Sequence, residues 1–319
     1  MNTLIANATR SVVTVKGLRK AYGEKIVLDG VDLSIGEGEV FGLLGPNGAG
    51  KTTMVRILST LIPADSGTAS VLGHDLRSEA DAVRSVIGVT GQFSAVDDLL
   101  TGEENLMLMG RLLHLPAVER RPRATQLLER FDLVESARRT PATYSGGMKR
   151  RLDLAMTLMG RPPLIFLDEP TTGLDPRSRH TMWQLIGELA AEGVTILLTT
   201  QYLEEADRLA DRIAVLDRGR IVADGTPEQL KRRIPGAHLL LRFADAASLE
   251  TAARALGEGT RDDTELVLRV PHEGGVRALR EVLARLGEGV AVEDLSIHTP
   301  DLDDVFFAFT KNPSKEHEQ

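Results

Sequence analysis

Residues 40–52 read VFGLLGPNGAGKT, an apolar run that breaks into glycine-rich chain and resumes with a lysine and a hydroxyl. The segment Gly45-Pro46-Asn47-Gly48-Ala49-Gly50-Lys51-Thr52 fits the pattern G-x-x-x-x-G-K-[ST]. Its glycines let backbone amides close around phosphates, and the helix expected from Lys51 through Leu61, which includes Thr53, adds the positive end of its dipole. Lys51 reaches the β/γ oxygens and Thr52 supplies a hydroxyl for magnesium. Such a loop needs a buried strand before it and a helix after it, and the pattern on either side supplies both. It predicts a nucleotide-binding α/β protein.

The flanking chain agrees. After a loose tail at residues 1–11, Val12, Val13 and Val15 open a strand, a turn follows near Tyr22-Gly23, and a second strand runs from Ile26 to Ile35. Helical periodicity dominates from about residue 95 to 161, with Leu106, Met109, Leu112 and Leu113 on one face and Leu127, Leu128 and Phe131 in a second segment. Strand character returns at Leu164–Leu167, Val194–Thr200 and Arg212–Leu216, with helices between, so the sheet is expected to be mainly parallel. After Pro235-Gly236 a smaller α+β unit is predicted. Its strands are at 238–243, 265–270 and 290–297, its helices at 246–256, 276–286 and 301–309, and a charged tail covers 311–319.

With 319 residues, 42% of them apolar, the chain has material for two cores. It contains no cysteine, which excludes disulfides, thiolate metal sites and a cysteine nucleophile. No apolar stretch is long enough to span a bilayer or to serve as a secretory signal. The formal net charge is −8, and residues 236–319 hold 9 basic and 16 acidic groups against 29 and 30 in the rest. An acidic chain whose basic runs are as short as Lys149-Arg150-Arg151 has no electrostatic footprint for nucleic acid.

A second element completes the nucleotide chemistry. In LIFLDE an apolar strand delivers Asp168 and Glu169 at its end, where one carboxylate can hold magnesium through water and the next can orient an attacking water. Ser145-Gly146-Gly147 precedes a helical pattern that begins near Lys149, so its hydroxyl and helix-end amides form a second anion site.

Tyr144-Ser145-Gly146-Gly147-Met148 resembles the signature of ATP-binding cassette (ABC) proteins, and the other motifs follow in that family's order over about 180 residues. The resemblance implies a P-loop NTPase core at 12–235 with a helical subdomain at about 95–161, and a C-terminal accessory domain at 236–310. It implies that Tyr22 stacks on adenine, that Gln92 joins Mg2+ to the helical subdomain, and that Asp175, in Thr172-Gly173-Leu174-Asp175, lies at a dimer interface. Two copies would pair head to tail, each ATP closed between one subunit's phosphate loop and the other's Ser145, Gly146 and Gly147. YSGGMKRRLDLA, TTQYLEEADRLADRIAVLDRGRI and DLDDVFFAF together look most like the ATP-binding subunits of daunorubicin-type drug-resistance exporters, over nearly the whole chain. Such subunits sit on the cytoplasmic side of the membrane and drive a separate permease. The implied reaction is ATP hydrolysis coupled to efflux of a hydrophobic drug, the alternatives being export of a lipid, polysaccharide or ion, or a cassette without a transport role.

Two positions depart from the wider family. Met148 stands where glutamine is usual, and Gln201 where a histidine generally contacts the γ-phosphate, although Gln201 belongs to the subgroup's own pattern. Its amide donates a hydrogen bond but carries neither charge nor a transferable proton. Glu169 is then the base, with Lys51 and Gln201 as the other catalytic candidates, and slow turnover is expected. The seven histidines show no zinc spacing; Trp183, Met107 and Met109 read as core, and Asp301, Asp303 and Asp304 as the first turn of a helix.

Overall fold

The computed structural model describes residues 10–91, 95–234, 238–257, 259–271, 275–286 and 290–310. Most of the two expected tails, the Pro235-Gly236 boundary and Gln92 lie outside the described residues. The chain divides into two compact units between Pro227 and Glu228, so all but the first residue of the helix before the expected boundary groups with the second unit.

The first unit opens with β1 (Ser11–Tyr22), β2 (Lys25–Gly36), β3 (Val40–Leu44) and α1 (Lys51–Leu58). It continues with β4 (Ser66–Val71), β5 (His74–Asp75), α2 (Ala80–Val86) and β6 (Ile87–Thr90). The helical segment holds α3 (Gly102–Leu112), α4 (Ala117–Arg130) and α5 (Gly146–Thr157). Then come β7 (Leu164–Asp168), α6 (Pro176–Ala191), β8 (Thr195–Thr200), α7 (Leu203–Leu209), β9 (Arg212–Asp217) and β10 (Arg220–Gly225).

Two sheets result. One is antiparallel in the order β2-β1-β4-β5, and Ser11, placed in the tail by the sequence pattern, already pairs with Gly36. The other runs β10-β9-β3-β8-β7-β6, with β10 the antiparallel edge and the other five strands parallel. Every residue of β3, β7 and β8 is buried. Strands buried along their whole length are what a parallel sheet covered on both faces requires, and its five parallel strands end at one edge, where ligands bind.

One core cluster joins Leu43, Met54, Leu58 and Phe166 to the antiparallel sheet; the other packs Leu106, Phe131, Leu152 and Ile186 on the opposite side. In the helical segment α3 starts with a reciprocal cap between Thr101 and Glu104. Leu106 is buried, but Leu112 and Leu113 are 64% and 41% exposed rather than on the expected core face. Leu112, six residues on, lies about 120° round the helix from Leu106, and Leu113 is past the helix end, where the chain turns through His114 in a left-handed conformation, φ 55°.

β4 to β6 are not readable as strands in the sequence. The four residues of β6 hold only because they pair with β7, and Gly88 is required there: a Cβ would lie 2.5 Å from Thr157 Cγ2.

The second unit comprises α8 (Pro227–Arg232), β11 (His238–Phe243), α9 (Ala246–Leu256), β12 (Thr260–Asp262), β13 (Val267–Pro271), α10 (Gly275–Leu286), β14 (Val292–His298) and α11 (Leu302–Thr310). Its sheet is antiparallel in the order β12-β13-β11-β14, a split β-α-β arrangement with a core of Leu239, Leu241, Phe243, Leu249 and Val282. The polar strand β12 was not expected, because it pairs only along the sheet edge with β13. Asp301 accepts from Asp304 N at 3.0 Å at the start of α11, as an acidic first turn should.

Candidate nucleotide site

The strand-to-helix turn after β3 is built from steric necessity. A Cβ on Gly45 would sit 2.3 Å from the carbonyl oxygen of Leu216, and Gly50, which caps α1 with φ 115°, would place one 2.8 Å from Val27 O. No other residue lets the backbone come this close. Asn47 and Gly48 are exposed at the tip, whereas Ala49 is buried; Pro46 and Thr53 are half-buried.

Lys51 is only 4% exposed, and its Nζ donates to Gly45 O at 2.7 Å and Pro46 O at 3.3 Å while lying 3.6 Å from Glu169 Oε1. Burial holds its ammonium below the usual lysine range, opposed by the Glu169 and Asp168 carboxylates. Thr52 Oγ1 donates to Asp168 Oδ1 at 3.2 Å, and Thr199 Oγ1, from the neighbouring strand β8, donates to the same oxygen at 2.6 Å. The structure thus brings Lys51 and Thr52, from the start of α1, and Asp168 and Glu169, from the end of β7, to one place.

Glu169 has φ 51°, a left-handed conformation that a non-glycine residue holds only under constraint. Its N–H donates to Thr199 O and Thr199 Oγ1, both at 3.1 Å, and its Oε2 accepts from Thr172 Oγ1 at 3.3 Å. The turn folds the carboxylate back toward Lys51 instead of along the strand. Gln201 follows the end of β8 and is half-buried, and Tyr22 ends β1 with 49% exposure, Lys20 Nζ lying 5.6 Å from its ring centroid.

Ser145 and Asp175 each cap a helix. Ser145 caps α5, its Oγ accepting from Met148 N at 3.2 Å. Asp175 caps α6 and accepts from Ser178 N at 3.0 Å and Ser178 Oγ at 2.6 Å, which holds its carboxyl below the usual range. Gly146 is exposed, with open space at its Cβ position, and Gly147 packs directly on Ser178. Among the described residues, none of these hydrogen bonds reaches the phosphate loop.

Sequence reasoning missed two buried groups. Arg150, read as part of a basic run, contacts the backbone around Asp168 and Glu169, while its neighbours pair elsewhere, Lys149 with Asp98 and Arg151 with Asp132. Its spacing from Asp153, one helical turn on, was the available signal. Glu205, on α7, is fully buried and accepts from Thr171 Oγ1 at 2.8 Å and Trp183 Nε1 at 2.9 Å. Trp183 is core, as expected. No helix among the described residues is long and apolar enough to cross a membrane.

The family profile described as ABC transporter matches residues 28–172. A daunorubicin resistance ATP-binding protein of Streptomyces coeruleorubidus is 51% identical, with 93% of this chain and 94% of that one aligned. The daunorubicin/doxorubicin resistance ATP-binding protein of Streptomyces peucetius is 47% identical over 98% and 96% of the two chains. A Nod factor export ATP-binding protein of Ralstonia nicotianae is 39% identical over 94% of each. Among solved structures, a dimeric ATP-binding cassette in a post-hydrolysis state bound to ADP and Pi is 30% identical, with a TM-score of 0.62, covering 67% of this chain and 98% of its own.

Proposed function

This chain belongs to the ABC transporter family, and we propose that it is the ATP-hydrolysing subunit of an exporter that moves a hydrophobic, daunorubicin-like drug through a separate membrane permease. The observation that carries the reading is the convergence of Lys51, Thr52, Asp168 and Glu169 at the C-terminal edge of the parallel sheet, with Glu169 turned back toward the lysine. The reaction is ATP plus water to ADP plus phosphate.

In this reading the amides of the loop from Gly45 through Gly50, with Lys51, Thr52 and Thr53, bind the phosphates, and Tyr22 stacks on adenine. Hard oxygen donors 3.2 Å apart, Thr52 Oγ1 and Asp168 Oδ1, suit magnesium, with Asp168 acting through water and Gln92 as a further ligand. When bound, Mg2+ neutralises charge on the β- and γ-phosphates. Glu169 accepts a hydrogen bond from the attacking water and orients it, Lys51 balances negative charge on the phosphates, and Gln201 donates a neutral hydrogen bond toward the γ-phosphate.

The remaining anion site faces outward on α5, which is why a second copy is needed. Ser145, Gly146 and Gly147 of each subunit close the other's ATP, and Asp175 lies at that interface. The dimeric cassette among the structural relatives supports this pairing. The subunit works on the cytoplasmic face of the membrane, docked on the permease, and the reading involves no nucleic acid. Relatives named for Nod factor export favour one second reading, a lipid or polysaccharide cargo; the higher identity of the drug-resistance subunits favours the drug.

Light scattering on purified Glu169→Gln protein tests the site. A dimer with Mg-ATP and a monomer with Mg-ADP is the expected result, with kcat reduced by about 100-fold or more. A Glu169→Gln variant that hydrolyses ATP at the unsubstituted rate would refute the assignment.

A further inference from the structure

Arg150 lies in α5, five residues after Ser145, and its side chain is 11% exposed. Its Nε donates to Pro170 O at 2.9 Å, one terminal nitrogen donates to Gly91 O at 2.6 Å, and the other donates to Asp168 O and Glu169 O at 3.2 Å each. Asp153, 3% exposed, stands 3.4 Å from the first terminal nitrogen and also accepts from Ala95 N at 3.1 Å. The planar fork of a guanidinium is the one side chain that can donate to so many fixed acceptors at once.

The gripped carbonyls at 168, 169 and 170 belong to consecutive residues, and the middle one is the glutamate with φ 51°. A glutamate that keeps this conformation without a glycine's freedom must be held from outside. Thr199 holds it on the amide side, through the two bonds from Glu169 N. Arg150 holds it on the carbonyl side. Relaxation of φ to a negative value would swing the carboxylate away from Lys51, because the direction of Cβ follows the backbone.

We infer that Arg150 is the positioning residue for Glu169: it fixes the backbone turn that aims the carboxylate and, because it is carried by the helix that Ser145 caps, ties that aim to the seat of α5. Asp153 orients the guanidinium. The inference rests on the reading of Glu169 as the residue that orients water. It gives the chain a mechanical link between the surface that takes the partner's ATP and the carboxylate that acts on its own. A change in the seat of α5 reaches Glu169 through one side chain.

The test uses the purified full-length chain. Arg150→Met keeps the buried stem and removes every donor, Arg150→Lys keeps the charge without the fork, and Asp153→Asn keeps an acceptor for Ala95 N–H while removing the charge beside Arg150. A misaimed catalytic group costs about 10- to 100-fold, so kcat should fall by that factor in Arg150→Met and by less in Arg150→Lys. The KM for ATP, and the ATP affinity of each variant on a Glu169→Gln background, should stay within about twofold. Amide hydrogen exchange should speed up at residues 168–171 in Arg150→Met and stay unchanged at 45–52. Unaltered kcat and exchange in both Arg150 variants would overturn the inference, as would equal losses of kcat and ATP binding with fast exchange throughout the first unit, the mark of a mere strut. If Arg150→Met does not fold, Arg150→Lys and Asp153→Asn carry the same comparison. A fast Glu169→Gln variant removes the reading of Glu169 itself, whereas a slow Glu169→Gln beside a fast Arg150→Met removes only the role of Arg150.

Discussion

At the scale of single residues, the buried polar groups decide how the strand ends are held. Glu205 has no exposure, and Oε1 takes both Thr171 and Trp183, whereas Oε2 has no hydrogen bond of good geometry among the described residues. Burial raises its pKa above the carboxylate norm. The folded chain therefore binds a proton more readily than the unfolded one, and stability falls as pH rises from the unfolded value of 4.5 through the raised one. A glutamine keeps the Oε1 acceptor and removes the buried charge. Glu205→Gln should thus be more stable than the unsubstituted chain at pH 7.5 by about 1–3 kcal/mol, an advantage that shrinks toward pH 4.5; urea titrations across that range read it. Gln201, half-buried after the end of β8, bears on the chemistry itself. A charged donor is worth about 1 kcal/mol more than a neutral one, which is roughly fivefold in rate, so Gln201→His should raise kcat by that factor, and an unchanged kcat would show that the glutamine is no handicap. The phosphate loop was legible because glycines and a lysine at fixed spacing have few other uses. Arg150 and Glu205 were not, because nothing in KRRLD or LEEAD tells which charges face solvent until the helices are packed.

At the scale of elements, α5 packs closely on the start of α6. Gly147 lies so close to Ser178 that an added Cβ would stand 2.4 Å from Ser178 Oγ and 2.8 Å from its Cβ. Gly146, one residue earlier, faces open space. The two glycines of the signature therefore serve different ends, one packing and one access. Gly147→Ala should lower stability by about 1–3 kcal/mol through overpacking, whereas Gly146→Ala should leave it within about 0.5 kcal/mol and instead weaken the Mg-ATP-dependent dimer. Thermal unfolding together with light scattering on the Glu169→Gln background separates the two. The pattern of the sequence shows Ser145 as a cap and α5 as a helix, but the contact that makes Gly147 obligatory is made across 31 residues of chain and has no local sign. The same limit hid β4, β5 and β6. Short, half-polar strands owe their existence to neighbours such as β1 and β7, whereas β3, β7 and β8 announce themselves by the apolar runs VFGLL, LIFL and ILL.

The whole molecule carries two separate cores, one pair of clusters before Pro227 and another cluster after Glu228. Each of the described nucleotide candidates, from Tyr22 to Gln201, belongs to the first unit. A ligand stabilises only the unit that binds it, by RT ln(1 + [L]/Kd), which is about 2.7 kcal/mol at a hundred times Kd. For a unit of this size each kcal/mol moves the midpoint by roughly 2–4 °C, so saturating Mg-ATP should raise one calorimetric transition by about 5–10 °C. The Glu169→Gln variant prevents turnover during the scan. The second transition should stay where it is, since Leu239, Phe243 and Leu249 close a core of their own. A chain ending at Pro227 should then show the first transition alone, with the same ATP-induced shift. If both transitions of the full chain move together with ATP, the second unit is energetically part of the cassette, and the truncated chain should lose part of the shift.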